Sequence, residues 1–398
     1  MSDPTSRSRS GAGVLELLRR FEDDSALADT YAASCLEKAK AAEPILKAFE
    51  YLSPDLTRRP GPLSGIPVGI KDIIATSDMP TTNPWNSKHT PGGSSSGSAA
   101  TVAAGIVPLA LGTQTLGSVI RPAAFNGVVG LKPSFGAIPR TGVHPLSPSL
   151  DHVGFFARSV DDVAYALSLL AATSDLDRHG RPLPRFDVAV SEGVVPLEKP
   201  RLRIVRFQKW PRVEPEQQKV FEAAASKLRE AGAIVEEREW EELDATNWSA
   251  VNTILSSEAA LIYNNLVENY PDRTSDHLKS AVKAGKALTA FDYLAARSLQ
   301  ERLRAALTDE MSGVDAVLTV PAFGEAPEGL GSTGNAEYCA PWTLLGAPAV
   351  SLPAGFGKHG LPLGIQLVGA YRQDLHLLRA AKWAEGALQF DPGLPKIA

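Results

Sequence analysis

Helical and extended hydrophobic patterns alternate along the chain and predict an α/β protein. Apolar residues recur at helical spacing from Val14 to Tyr51 and again over residues 247–310. Strand-like apolar runs alternate with amphipathic stretches elsewhere. The predicted strands are 67–74, 106–111, 202–207, 233–240, 314–320, 349–352 and 365–368, and the further helices are 99–104, 215–231 and 375–388. This alternation favours one large mixed β-sheet covered by helices on both faces.

The same pattern divides the chain into three parts. Residues 1–12 are polar and are predicted to be disordered, residues 13–60 form an N-terminal helical segment, and residues 61–390 form the main domain. The 398 residues are 44% apolar and 21% charged, which is typical of a globular protein with a sizeable core.

Composition argues against several classes of function. The net charge is −5 and basic residues are not clustered, so we expect no nucleic-acid surface. The most apolar window, residues 101–120, is interrupted by Pro108 and Gly112 and makes a poor membrane span. Cys35 and Cys339 form neither a disulfide framework nor a zinc motif, and the N-terminus lacks a signal-peptide pattern. We therefore expect a cytoplasmic protein without a structural metal.

The segment Gly92-Gly-Ser-Ser-Ser-Gly-Ser98 is a candidate for chemistry. It is not a P-loop, because no Gly-Lys-Ser/Thr follows to bring a lysine to phosphate oxygens. It matches the G-x-S-x-G nucleophile elbow, but that motif needs a buried strand before it, and here polar residues ending in Pro91 precede. Taken alone, the segment is interpreted as a flexible loop before the helix at 99–104.

Lys71 stands within the apolar run 67–74, where burying a charged amine is costly. One interpretation is a lysine at a strand end that reaches solvent or pairs with Asp72. The other is a desolvated lysine whose lowered pKa lets the neutral amine accept a proton near pH 7. The pattern leaves both interpretations open.

Ser118 follows the turn 112–117. Successive N–H groups in such a turn can bind an anion, and Thr115, Leu116 and Gly117 are the candidate oxyanion-hole donors beside the Ser118 hydroxyl. The alternative is an N-cap serine for a helix from about residue 119.

A histidine base is not indicated by the sequence. None of the seven histidines stands in a recognisable Ser-His-Asp context. Asp151 and His152 are adjacent, so on a strand their side chains would point to opposite faces. A histidine-based enzyme is therefore an alternative without support from the pattern.

The order of these features resembles the amidase signature family, over about residues 61–385. Gly69-Ile-Lys-Asp72 is similar to the family's lysine motif. The segment 92–100 is similar to its Gly/Ser motif, and the segment 112–118 to its nucleophile turn. Three further segments that fit the family are 125–133, 346–353 and 360–366.

The resemblance implies a Ser–Ser–Lys triad that works without metal or cofactor. Ser118 would be the nucleophile, Ser94 the bridging serine after a cis peptide following Gly93, and Lys71 the base. The implied reaction is hydrolysis of a carbon–nitrogen bond in a small amide through an acyl ester, with release of ammonia. Two alternatives are a catalytically silent relative with a role in binding or assembly, and the ammonia-generating subunit of a transfer-RNA-dependent amidotransferase.

Within the family, the turn and the helix after it resemble the malonamidase type. Many relatives have aspartate where Gln114 stands, and arginine two residues after the nucleophile, where this chain has Ile120. Here Arg121 follows one residue later. The resemblance implies that Arg121 and Gln114 bind a small amide that also carries an acid group, because a guanidinium forks onto a carboxylate. The alternative for Arg121 is a structural salt bridge. A homodimer is also allowed.

Two departures from the family pattern bear on activity. Lys71 and Ser94 are separated by 23 residues, far fewer than is usual, so the domain is shortened between 80 and 85. We expect an unpaired sheet edge there. Leu116 replaces a glycine of the oxyanion turn, where a left-handed backbone would cost a Cβ-bearing residue ~1–2 kcal/mol. We expect hydrolysis to be weakened or confined to small acyl groups.

Overall fold

A computed structural model describes residues 11–72 and 81–397 of the chain. Helices α1 (Val14–Asp23) and α2 (Ala26–Leu46) form the predicted N-terminal helical segment. The Leu15 N–H donates to Asp162 at 3.0 Å, which ties α1 to the main domain. The division into a segment at 13–60 and a domain at 61–390 stays a prediction. The disorder predicted for residues 1–10 and the strand and loop predicted at 73–80 lie outside the described residues.

The described residues contain nine strands in one mixed sheet. The strands are β1 (Val68–Ile70), β2 (Leu109–Gln114), β3 (Val129–Lys132), β4 (His152–Ala157), β5 (Arg201–Ile204), β6 (Ile234–Glu237), β7 (Ala316–Thr319), β8 (Ala349–Phe356) and β9 (Pro362–Val368). Their order in the sheet is β1-β2-β4-β3-β8-β9-β7-β5-β6. β1 runs parallel to β2, and β5 runs parallel to both β6 and β7, while the other neighbours are antiparallel.

Helices cover both faces of this sheet, as the sequence predicted. They are α3 (Ser96–Ala103), α4 (Ile120–Asn126), α5 (Val160–Leu170), α6 (Pro215–Glu230), α7 (Glu241–Asn269), α8 (Asp276–Ala287), α9 (Ala290–Glu310), α10 (Ala340–Leu344) and α11 (Asp374–Leu388). Phe156 packs in a buried cluster with residues of α3 and α4, whereas its neighbour Phe155 packs in the larger cluster with α5 and α11. Adjacent strand residues point to opposite faces, so the two clusters are the two covered sides. No helix within the described ranges has the length and apolar character needed to cross a bilayer.

The strand predicted at 67–74 is shorter and more exposed than expected. β1 spans three residues, and the Ile70 residue is 77% exposed. The prediction of a buried strand is wrong because β1, among the strands of the described ranges, is an edge strand that pairs with β2 alone. Within residues 11–72 and 81–397, β1 therefore has the unpaired edge that was expected from the shortened segment.

Residues 81–95 form the shortened connection that leads into α3. Thr82 donates from its N–H to Leu46 O at 2.9 Å, and the Trp85 Nε1–H donates to Asn126 O at 2.9 Å. Asn126 in turn donates to Pro91 O at 2.7 Å. These bonds hold the connection against the end of α2 and against α4, and they thereby fix the position of the Gly/Ser segment that follows.

The remaining predicted elements are present with shifted bounds, and four helices and strands among the described residues were not predicted. Residues 247–310 form most of α7 and all of α8 and α9. The unpredicted elements are β3, β4, α5 and α10. Every residue of β4 is buried, so it lacks the apolar–polar alternation by which a half-buried strand is found.

Candidate active site

Lys71 directly follows β1, and its amine meets two hydroxyl groups. The Nζ atom lies 2.7 Å from Ser94 Oγ and 2.8 Å from Thr113 Oγ1. The residue is half-buried. Desolvation lowers the pKa of Lys71 from 10.5 to about 7, while the negative charge of Asp151 acts in the opposite direction. The amine therefore loses its proton near neutral pH, and the neutral form is the one that can accept a proton.

Ser94 lies just before α3, after a cis peptide bond between Gly93 and Ser94, as the resemblance implies. The residues on either side are fixed rather than loose. Ser96 Oγ donates to Gly92 O at 2.6 Å, and Ser95 Oγ donates to Thr113 O at 3.1 Å. Ser94 itself is exposed, so its hydroxyl is open to a substrate as well as to Lys71.

The turn at 115–118 contains four consecutive backbone N–H groups beside the Ser118 hydroxyl. β2 ends at Gln114, and the N–H groups of residues 115–118 have no acceptor among the described residues. Consecutive free donors beside a serine hydroxyl can stabilise a carbonyl oxygen that becomes negatively charged. The roles predicted for Thr115, Leu116 and Gly117 as oxyanion-hole donors stay predictions.

Gln114 fixes the shape of this turn. Its Oε1 accepts the N–H groups of Val119 at 2.9 Å and Ile120 at 3.0 Å, and its Nε2 donates to Thr343 Oγ1 at 2.9 Å. It thereby caps the start of α4, whose N-cap residue is Val119. The N-cap interpretation of Ser118 is therefore wrong. The buried Gln114 amide is paired within the protein, and its contact with substrate stays a prediction.

Gly117 lies where a larger residue would not fit. A Cβ at this position would be 3.0 Å from the Cβ of Cys339 and 3.1 Å from the Cβ of Ala336. Cys339 immediately precedes α10, and Thr343 on α10 donates to Leu116 O at 2.8 Å. The short helix α10 therefore supports the turn from behind.

Leu116 does not carry the backbone strain expected from replacing a glycine. The non-glycine residues with positive φ within the described ranges are Lys47, Arg372 and Gln389. Leu116 is not among them, so its Cβ costs nothing through a left-handed backbone. Its half-buried side chain packs against the larger core cluster. Its effect on the acyl pocket stays a prediction.

Ser118 is half-buried at the end of the turn. Over the part of the chain that the structure describes, no hydrogen bond joins the Ser118 and Ser94 hydroxyls. The structure thus brings Lys71 and Ser94 into direct contact and leaves the Ser94–Ser118 step a prediction. Hydrogen bonds of this kind often tighten only when substrate is bound.

Arg121 is buried and donates to neutral oxygens. Nη2 donates to Gly93 O at 2.6 Å and to Thr333 Oγ1 at 3.0 Å, and Nη1 donates to Gly334 O at 2.6 Å. Burial lowers the pKa of Arg121 to about 10. The salt bridge considered for Arg121 is not formed with any described carboxylate. Its guanidinium instead joins the Gly/Ser segment to residues 333–334, and its substrate contact stays a prediction.

Asp151 and His152 do not form a catalytic pair. Thr115 Oγ1 donates to Asp151 Oδ1 at 2.6 Å, whereas His152 Nδ1 lies 2.6 Å from Leu150 O. Burial lowers the pKa of His152 well below its usual value, so this ring is neutral. The proximity of Asp151 to the turn was missed from the sequence. Among the described residues, no group of three or more His, Cys, Asp or Glu side chains is arranged to hold a metal ion.

Comparison with known proteins places this site in a family context. Residues 79–378 match the protein family described as Amidase. The A subunit of glutamyl-tRNA(Gln) amidotransferase from Thermus thermophilus is 35% identical over 335 residues, covering 76% of this chain and 69% of that protein. The protein of the same name from Shouchella clausii is 32% identical over 354 residues, covering 80% and 71%.

Solved structures show the same fold. A crystal structure of an amidase is 28% identical with a TM-score of 0.78, covering 94% of this chain and 99% of that one. A peptide amidase in complex with chymostatin is 25% identical with a TM-score of 0.79, covering 98% and 99%. A 6-aminohexanoate cyclic dimer hydrolase is 22% identical with a TM-score of 0.84, covering 97% and 99%, and supports the fold alone. None of these relatives is named as a malonamidase.

Proposed function

Because the chain belongs to the amidase signature family, we propose that it hydrolyses the carbon–nitrogen bond of a small amide through an ester on Ser118. The observation that carries this proposal is the contact between Lys71 Nζ and Ser94 Oγ at 2.7 Å. A lysine with a pKa of about 7 is a base suited to neutral pH, and its hydroxyl partner, Ser94, is the residue that the family resemblance implies as the bridge to Ser118.

The proposed reaction begins with a proton relay from Ser118 through Ser94 to Lys71, and the relay later runs in reverse to protonate the leaving nitrogen. Neutral Lys71 takes the proton of Ser94, Ser94 takes the proton of Ser118, and the Ser118 oxygen bonds to the amide carbon. The carbonyl oxygen takes the displaced electron pair and lies against the free N–H groups of the turn. The proton then returns through Ser94 to the leaving nitrogen as the carbon–nitrogen bond breaks. Water attacks the ester by the same route and releases the acid.

Thr113 has a defined part in this scheme. A neutral amine has two N–H bonds and one lone pair, and the lone pair must face Ser94 for the transfer to occur. Thr113 Oγ1 lies 2.8 Å from Lys71 Nζ and can accept one of the N–H bonds. This contact directs the lone pair toward Ser94.

For the substrate, we propose a small amide with a carboxylate, as in the malonamidase type. The support is the charge of Arg121, which is buried and is met by neutral oxygens among its described neighbours. A substrate carboxylate could replace the bonds to Thr333 and Gly334, and would gain a charge-assisted pair in a desolvated place. Gln114 would act indirectly by holding the turn.

A second candidate function is that of the ammonia-generating subunit of an amidotransferase, which would deliver ammonia from glutamine to a partner. The names and identities of the two curated relatives described above favour it. An isolated chain with this function should prefer glutamine over half-amides of diacids. The catalytically silent relative predicts release of ammonia from neither substrate.

One experiment separates these functions. Ammonia release would be measured from primary amides, half-amides of short diacids and glutamine, with the wild type and with Ser118→Ala. We expect release from half-amides by the wild type and loss of release in the variant. Equal release by both proteins would remove Ser118 from the mechanism. A serine-directed phosphonate should label Ser118 in the wild type, which tests activation of the hydroxyl without a known substrate.

The cellular location and assembly state are also proposals. Cys35 and Cys339 are both buried and free, which suits the cytoplasm that the sequence predicted. The homodimer stays a prediction.

A further inference from the structure

We propose that Asp151 is a positioning residue for the hydrolysis described above: its carboxylate fixes the oxyanion turn and places a negative charge near the Lys71 amine. The inference rests on that proposed function, and it concerns a residue that the family resemblance did not single out.

Both oxygens of Asp151 are used, and they join two separate loops. Oδ1 accepts the Thr115 hydroxyl at 2.6 Å. Oδ2 accepts the N–H groups of Leu146 and Ser147, each at 2.9 Å. The carboxylate is therefore a clamp between the turn that precedes Ser118 and the 145–151 loop. Because Thr115 is the first residue of the turn, its side-chain bond limits where the free N–H groups point.

The 145–151 loop is itself held firmly. The buried Glu258 on α7 accepts the Ser147 hydroxyl, and it accepts both the N–H at 3.0 Å and the hydroxyl of Ser149. Tyr293 on α9 donates to the same carboxylate at 2.7 Å. The helices α7 and α9 thus fix the loop, the loop fixes Asp151, and Asp151 fixes the turn.

The charge of Asp151 also acts on the base. Lys71 is met by the hydroxyls of Ser94 and Thr113, and Asp72 follows it in the chain. Asp151 raises the pKa of Lys71 and so offsets part of the larger lowering by desolvation.

The pKa of the Asp151 carboxyl is itself set by opposing effects. Burial raises the pKa of its carboxyl, while its bonds to Thr115, Leu146 and Ser147 and the charge of Arg140 lower it. Tyr263 on α7 is a further titratable group near Asp151, and the charge of Asp151 raises the pKa of that phenol. An ionised Asp151 makes Lys71 a stronger base than desolvation alone would leave.

Asp151→Asn separates the bond to the turn from the electrostatic effect on Lys71, because asparagine keeps an oxygen for the Thr115 hydroxyl but has no charge. Without the charge, the pKa of Lys71 falls further. The acid limb of kcat/KM, where Lys71 loses its proton, should therefore move to lower pH than in the wild type. The plateau should fall roughly tenfold, because the base is weaker and the loop N–H groups of Leu146 and Ser147 both lose their acceptor.

Two control variants distinguish the loss of the Asp151 charge from a general loosening of the 145–151 loop. Glu258→Gln weakens the anchor of the same loop, so it should lower the plateau and leave the acid limb at the wild-type pH. Thr115→Val removes the bond to the turn but keeps the Asp151 charge. It should lower the plateau by about 10–100-fold without moving the limb, and Thr115→Ser should restore most of the rate.

The outcomes separate this inference from the proposed function. An unmoved acid limb in Asp151→Asn would overturn the electrostatic role, and a wild-type rate in Thr115→Val would overturn the clamp. Should the wild type hydrolyse none of the amides, the proposed substrate class fails. The pH dependence of Ser118 labelling by a phosphonate, in wild type and Asp151→Asn, then tests the inference alone.

Discussion

Replacing Lys71 with methionine should stabilise the protein while abolishing activity, and the gain should depend on pH. Methionine has a similar length and no charge, so it removes the desolvation penalty of the amine. The pKa of Lys71 is lowered from 10.5 to about 7 in the folded protein. At ~1.36 kcal/mol per pH unit, this shift corresponds to a penalty of about 5 kcal/mol when the amine is charged.

The sign of the pH dependence follows from proton binding. Between about pH 7 and pH 10.5 the unfolded chain holds a proton on Lys71 that the folded protein does not, so wild-type stability rises with pH in this window. Below that window both states are protonated and the penalty is complete. The advantage of Lys71→Met should therefore be largest near pH 6. With the full pKa shift, the stability advantage of Lys71→Met would be about 2.7 kcal/mol smaller near pH 9 than near pH 6. Because Lys71 is only half-buried, screening reduces this change to about 1–2 kcal/mol.

The assay is urea unfolding of both proteins at several values of pH from about 6 to 9. The control is Lys283→Met, which removes an exposed lysine of α8 and should give a difference from wild type that does not change with pH. A Lys71→Met advantage that is the same at every pH would refute the assignment of a desolvated amine.

Three further predictions concern the turn. Gly117→Ala should lower kcat at least tenfold with little change in fold, because the added Cβ would press on Cys339 and displace the oxyanion donors; circular dichroism and ammonia release check both parts. Gln114→Leu should cost about 1–2 kcal/mol in urea unfolding, since α4 loses its cap, and an unchanged midpoint would count against that role. Leu116→Gly should increase the rate on bulky acyl groups relative to small ones; an unchanged ratio in competition assays would show that Leu116 does not limit the acyl pocket.

Much of the architecture is predictable because its elements have clear patterns. Helices such as α6 and α11 show apolar residues at helical spacing, and their bounds agree with the prediction to within a residue. β4 is buried along its whole length and shows no alternation, and β1 is an edge strand whose apolar residues suggested burial. Burial on one or both faces depends on the neighbours in the sheet, which the local pattern does not contain.

The site was predictable where its residues lie within motifs, and not where distant segments meet. The contact between Lys71 and Ser94 follows from their motifs. Asp151 is 36 residues from Thr115, and only the antiparallel pairing of β2 with β4 brings the two together. The bonds of Arg121 to the Gly/Ser segment depend in the same way on tertiary packing, which a local comparison of residue types does not reveal.

The most direct test of the central claim is the pKa of Lys71 itself. The protein would be labelled with ¹³C at the lysine Cε position, and the chemical shift of Lys71 would be followed through a pH titration, with Lys71→Met identifying its signal. A midpoint near 7 is predicted, because desolvation outweighs the charge of Asp151. A midpoint near the ordinary lysine value of about 10.4 would mean that the amine is charged at neutral pH and cannot be the base.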